Sequence, residues 1–211
     1  MAEILRIFVS ATSDLDAERA LIGQAVAHLP VKIGIEIRRT PAEGGSQDDM
    51  YELIANCDRV YFLLGQDITA PAGAEWYLSR DLERSVMPIC RAGRPTLAAR
   101  EFMHMQGVFT NWTRFESSAD LAQIITLDLI DILSHPKNRY GLTVTELELL
   151  SSHAQRIRTA AAAAKARAQK HGSEGNEPSE FDDGGGAEGG GVLLDSGRRE
   201  PLLGVLIGED Y

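Results

Sequence analysis

The sequence predicts an α/β fold: a three-layer sandwich around a four- to five-stranded parallel sheet, followed by a helix and a disordered tail. Three observations predict it. Apolar runs alternate with amphipathic stretches in the order β-α-β-α-β-α-β with short joints, which calls for parallel strands and right-handed crossovers. The runs Ile4–Ser10 and Arg59–Leu64 are almost continuously apolar, as strands covered on both faces are. Finally, the composition breaks near residue 171, after which nothing can supply a core.

The elements follow in order. After the strand Ile4–Ser10, a helix places Leu15, Ile22, Val26 and Leu29 on one side, with Ser13 and Asp16 as a capping-box-like start and Pro30 beyond its end. Val31–Arg38 alternates apolar and polar residues and reads as a strand with one polar face, at an edge. Thr40–Ser46 holds Pro41, Gly44 and Gly45 and is a loop. Ser46 caps the next helix, whose first turn carries Asp48 and Asp49 and whose core face is Met50, Leu53 and Ile54. Arg59–Leu64 is a buried strand that stops at Gly65. A loop over Gln66–Gly73, a helix over Ala74–Arg84 and a strand over Val86–Cys90 complete the repeating part.

Leu97–Met105 is a helix and Val108–Trp112 a short fifth strand. Ser117 or Ser118 caps a strongly apolar helix through Leu133. Thr143 and Glu146 form a further capping box, opening a helix over 143–170. Leu147, Leu150, Ala154, Ile157, Ala161 and Ala164 recur along it at three- and four-residue steps, a seam that packs back on the domain or pairs with another chain in a homo-oligomer.

Charge and cysteine usage narrow the function classes. The net charge is −10, yet residues 171–211 carry ten acids and two arginines, so the first 170 residues are nearly neutral. No basic stripe appears, which argues against nucleic acid as a partner. Cys57 and Cys90 lie in or beside apolar runs and read as buried thiols of a reducing compartment. The five histidines are scattered, without ligand spacing, and predict no metal site. No apolar run approaches the roughly 18 residues of a membrane span. With no signal-peptide pattern at Met1–Arg6, the expected location is cytoplasmic.

The most informative stretch is Arg6–Arg19, where an apolar run stops at small hydroxyl residues and an acidic first turn opens a helix. Such a junction lies at the carboxyl edge of a parallel sheet, where ligands bind and free backbone N–H groups favour anions. Ser10, Thr12, Ser13 and Asp14 are therefore candidate ligand-binding residues, the alternative being an ordinary joint capped by Ser13. Glu18 and Arg19 face different directions on the helix. A buried ion pair tying the helix to the sheet is one role for them, and contact with a ligand phosphate is another for Arg19.

The same residues resemble the signature R-[IV]-F-[IV]-S-S-T-x-x-D-L-x-x-E-R. It marks a bacterial family of unknown function grouped with TIR-like and nucleoside deoxyribosyltransferase-like domains. Arg6, Phe8, Ser10, Thr12, Asp14, Leu15, Glu18 and Arg19 match it, and Ala11 departs where a second serine is common. The resemblance extends to about residue 134 and implies a TIR/flavodoxin-like domain over 1–134. In nucleotide-cleaving members of those groups the key catalytic group is an acid near the start of a helix, beside the carboxyl ends of the strands. Glu75, in Gly73-Ala74-Glu75-Trp76-Tyr77-Leu78, fits that location, although Tyr77 stands where a second acid is usual. An acid in a first helical turn is also what dipole compensation selects. The implied chemistry is cleavage of an N-glycosidic bond in NAD or a nucleoside, with Trp76 walling a base pocket; no certain cofactor is indicated, and NAD or a nucleotide would enter as substrate or ligand.

Between Gly172 and Gly191, eight of twenty residues are glycine and most others polar, a flexible linker over 171–191. Residues 192–211 then bring two apolar runs around a polar turn: Val192, Leu193 and Leu194, then Leu202, Leu203, Val205, Leu206 and Ile207. A lone hairpin is marginal in water, so this segment is expected to dock on a protein partner, the alternative being a poorly ordered end. Three readings follow: a TIR-like signalling or adaptor module of a bacterial conflict or signal-transduction system, tethering a partner through 192–211; an N-glycosidase using Glu75; and a nucleotide-sensing domain that binds at Ser10–Asp14 and turns nothing over.

Overall fold

Parallel strands covered on both faces form the centre of the protein. The computed structural model describes residues 2–41, 45–106 and 110–173. Strands β1 (Leu5–Ala11), β2 (Ile35–Arg38), β3 (Arg59–Leu64), β4 (Val86–Arg91) and β5 (Thr113–Phe115) make one sheet in the order β2-β1-β3-β4-β5. Every pairing is parallel. Helices α1 (Asp16–Ala27), α2 (Gln47–Ala55), α3 (Ala70–Asp81), α4 (Leu97–Gln106) and α5 (Ser118–Leu133) each follow a strand, so all five begin at its carboxyl rim. A sixth helix, α6, spans Val144–Ser173. This is the expected flavodoxin-like three-layer sandwich.

Alternation along the strands sorts side chains to the two faces. Leu5, Ile7, Val9 and Ala11 of β1, with Tyr61 and Leu63 of β3, pack against Leu15, Ile22, Leu121, Ile125 and Leu129 of the α1–α5 side. Phe8 and Val60 meet Ile54 of α2, while Phe62 and Leu64 meet Ala72 and Trp76 of α3 and Phe102 of α4. Both faces of β3 are thus inside, which is why its sequence shows no polar alternation. β2 is an edge strand, as its alternating pattern foretold, but Ile37, on the apolar side of that pattern, is 43% exposed. The strand is shorter than expected, because β1 pairs only with Ile35–Arg38, and Val31 and Ile33 pack into the core without joining the ladder.

The capping boxes at Ser46/Asp49 and Ser117/Asp120 form as expected, and Thr143 and Glu146 bond reciprocally ahead of α6. The Ser13–Asp16 box does not form. Ser13–Leu15 is a single 3-10 turn, because Thr12 and Asp14 bond across to the next loop instead of capping α1. α3 starts at Ala70, four residues before the expected Ala74, since Pro71 fits the first helical turn. The fifth strand is Thr113–Phe115; Asn111 and Trp112 precede it, and Val108 lies outside the described residues. In α6, Leu147, Leu150 and Ala154 pack on the core of the same chain, whereas Ala164 is exposed. The linker from residue 174 and the whole segment 192–211, with its proposed partner contacts, lie outside the described residues. Among the described residues no helix is long and apolar enough to cross a membrane.

One buried polar network pins α5 to the sheet. Arg59 grips Asp128 through two guanidinium nitrogens, and the Tyr61 hydroxyl donates to the same carboxylate at 2.8 Å. Burial, then the adjacent Asp128 charge, holds the Tyr61 phenol well above its ordinary pKa. Removing the carboxylate leaves a partly buried guanidinium and a buried phenol without their acceptor, so Asp128→Ala is expected to cost about 2–3 kcal/mol in urea denaturation. Asp131→Ala, which loses only a 3.7 Å pair with Arg158 at the surface, should stay within about 0.5 kcal/mol.

Candidate functional site

Two groups of polar side chains occupy the carboxyl rim, and they differ in whether their bonding is complete. The first joins the loop after β1 to the loop after β3. Thr12, 1% exposed, accepts the Gly65 N–H at 2.9 Å and donates to Asp14 Oδ1 at 2.6 Å. Asp14 Oδ2 accepts the Gln66 N–H at 2.8 Å. A Cβ on Gly65 would fall 1.9 Å from that oxygen, so glycine is what lets the two loops close on each other. Partial burial acts to raise the Asp14 pKa and is the largest single influence. The bonds from Thr12 and Gln66, with the Arg91 charge nearby, together outweigh it and hold the carboxyl below its ordinary value.

Ion pairs tie α1 to the strand ends in the structural role weighed above. Glu18 pairs with Arg91 at the end of β4. Arg19 donates to the Ala11 carbonyl at 2.7 Å and lies 3.4 Å from Asp16. The hydroxyl-rich turn is therefore braced from within: Thr12 and Asp14 spend their bonds on the fold, and Ser13 is exposed.

The second group lies on the α3 face. Ser10 points to the same side of β1 as Phe8 and is in register with Phe62, whose ring meets Trp76 of α3 at 4.8 Å. Its hydroxyl is buried and, among the described residues, has no hydrogen-bond partner. Glu75 is the neighbour of Trp76 and sits in the second turn of α3, 6% exposed. Thr40, just past the end of β2, donates to Glu75 Oε1 at 2.5 Å. No ion pair reaches Glu75 among the described residues, whereas Glu18, Asp58 and Asp128 each face an arginine. A carboxylate so far out of water normally acquires a cation or several donors; this one holds a single neutral hydroxyl.

Trp76 is not the wall of an open pocket. It is 1% exposed and stacks on Trp112 at 5.5 Å, with Phe62 and Phe102 edge-on to it. Its amphipathic position on α3 made it a core residue, and a cleft of about 380 Å³ between α2 and α3 is lined instead by Met50, Ala74, Tyr77 and Leu78. The cysteines offer no nucleophile, since burial pushes the Cys57 thiol up to about 11 and raises that of Cys90. The sequence reading missed Thr40, which the loop-like Thr40–Ser46 composition concealed, and Gly65, which it took only as a strand end.

No family model matches the chain, and no curated protein does. Among solved structures, a CMP N-glycosidase of Clostridium botulinum, BcmB, matches with a TM-score of 0.39 and 14% identity, over 57% of this chain and 97% of that one. That similarity is too low to carry over a residue or a reaction.

Gly65→Ala should force Asp14 from its place and lower stability by about 1–3 kcal/mol in denaturant titrations. Because the Asp14 pKa is depressed in the folded state, its contribution is complete above the ordinary carboxylate range and is lost as pH falls through the folded value. The stability gap between wild type and Asp14→Asn, followed by thermal melts, should be full above about pH 5 and shrink below about pH 4.

Proposed function

We propose that the protein cleaves the N-glycosidic bond of a ribosyl or deoxyribosyl compound, with Glu75 as the catalytic carboxylate and Ser10 as a sugar-binding hydroxyl. One observation carries the reading: Glu75 is buried at the carboxyl rim with a neutral hydroxyl as its partner and, among the described residues, no cation paired with it. A charge kept in that condition costs stability, and it suits a site where positive charge arises only during reaction. The unpartnered Ser10 hydroxyl, on the same face of the sheet, supports it further. An unsatisfied buried hydroxyl costs about 1–3 kcal/mol, which a substrate hydroxyl would relieve.

The chemistry follows from those two groups. The bond from C1′ to the base nitrogen breaks and its electron pair leaves with the base. A base departing from a neutral nucleoside takes up the proton that water gives up, whereas nicotinamide leaves already neutral and the water proton goes to solvent. C1′ becomes oxocarbenium-like, and the Glu75 carboxylate stabilises it by charge or by bonding to it as a transient ester. Water then adds at C1′ and gives the free sugar. The Thr40 hydroxyl fixes the orientation of the carboxylate, and Ser10 holds the sugar against it.

Purified protein incubated with NAD and with deoxynucleosides should release nicotinamide or free base, measured by chromatography. Glu75→Gln keeps an oxygen to accept the Thr40 hydroxyl and should lower turnover by about 10²–10³-fold. Turnover undiminished in that variant, or absent from the wild type, would reject the reading. Deletion of residues 192–211 should leave turnover intact and remove only such partner binding as the tail provides.

A further inference from the structure

We propose that the outer edge of β2 is an interface between two copies of this chain. The two β2 strands pair antiparallel about a two-fold axis at Ile37, joining two five-stranded sheets into one. The proposal stands apart from the glycosidase reading and does not need it.

β2 ends the sheet, and among the described residues no strand lies on its outer side. The Leu5 N–H reaches the Gly34 carbonyl at 2.9 Å, in a parallel register that sets Leu5 beside Ile35. Backbone groups alternate in direction along a strand. Gly34, Glu36 and Arg38 therefore bond towards β1, while Ile35 and Ile37, with Arg39 just beyond, turn theirs outward. Such an outward row of donors and acceptors is a template for another strand. Neither a proline nor a bulge blunts it, since Ile35–Arg38 holds no proline and its register on β1 is unbroken.

The side chains select both the occupant and the register. Antiparallel pairing sets outward residue against outward residue, which allows the axis at residue 36, 37 or 38. An axis at Glu36 brings two carboxylates face to face, and one at Arg38 brings two guanidinium groups together; like charges directly opposite are unfavourable. An axis at Ile37 sets each Glu36 opposite the partner's Arg38. Arg38 already holds its own Glu36 through two bonds of 2.9 Å, and Arg6 of β1 lies 3.5 Å from the same carboxylate. The second copy continues that row of alternating charge. On the other face Ile37, 43% exposed, meets the partner's Ile37, which gives an exposed isoleucine on the apolar side of the strand a place to be buried. A second copy supplies both matches by symmetry, whereas a strand of unrelated sequence need supply neither. The contact is smaller than a permanent interface, so the dimer is a reversible one.

Sedimentation of the full chain over a rising concentration series should show monomer and dimer in exchange. Ile37→Pro removes an outward N–H and leaves the β1 ladder alone; it should raise the dissociation constant about tenfold or more while the melting temperature of the chain holds. Cross-linking under mild oxidation reads the register and does not depend on that variant folding. Ile37→Cys puts two Cα atoms about 5.5 Å apart across the axis and should join two chains, whereas Glu36→Cys, offset from the axis, should not. The native Cys57 and Cys90 are buried. A chain that stays monomeric throughout would overturn the proposal. So would a dimer indifferent to Ile37→Pro, one that links through Glu36→Cys instead of Ile37→Cys, or one lost on deletion of residues 192–211.

Discussion

Covering β1 and β3 on both faces is the constraint from which the rest of the structure follows. Strands with no wet side carry buried polar groups up to the rim, where the backbone ends find partners from the protein itself. The Ala11 carbonyl takes Arg19, the Gly65 N–H takes Thr12, and the Gln66 N–H takes Asp14. The same requirement at the opposite edge draws Asp58 onto the Arg6 N–H and Arg139 onto Asp58 and Glu3. Among the described residues Ser10 Oγ lacks a partner, as do Arg19 Nε and the Trp76 and Trp112 indole N–H groups, and Glu75 holds one neutral hydroxyl. Unmet bonding around β1 and α3 is what draws attention to that part of the fold.

What was legible in the sequence was what is local. The boxes at Ser46, Ser117 and Thr143 need only three residues to form, and the limits of β3 follow from an apolar run closed by Gly65. The even burial of Leu147, Leu150 and Ala154 needed only helical spacing, although which surface they meet did not follow from it.

What was not legible depends on residues far apart in the chain. Ser13 and Asp16 look like the cap of α1 until the Gly65 and Gln66 N–H groups, in a distant loop, donate to Thr12 and Asp14 and turn this segment away from a cap. Thr40 looks like filler until Glu75 arrives 35 residues later. The start of α3 was misplaced because Gly73 reads as loop, while Pro71 had already fixed the backbone angle of the first turn. Trp76 shows the opposite failure. Its neighbour Glu75 drew it into a chemical role, and the aromatic partners that hold it, Phe62, Phe102 and Trp112, come from three other segments.

Both tryptophans of the chain belong to that aromatic group, stacked 14° from parallel, one of them adjacent in sequence to Glu75 and the other just ahead of β5. Their indole transitions are therefore coupled to each other, with Phe62 and Phe102 beside both rings. Tryptophan emission from this chain thus reports one place rather than an average over the fold. A small molecule that shifts α3 would announce itself optically, with no label attached.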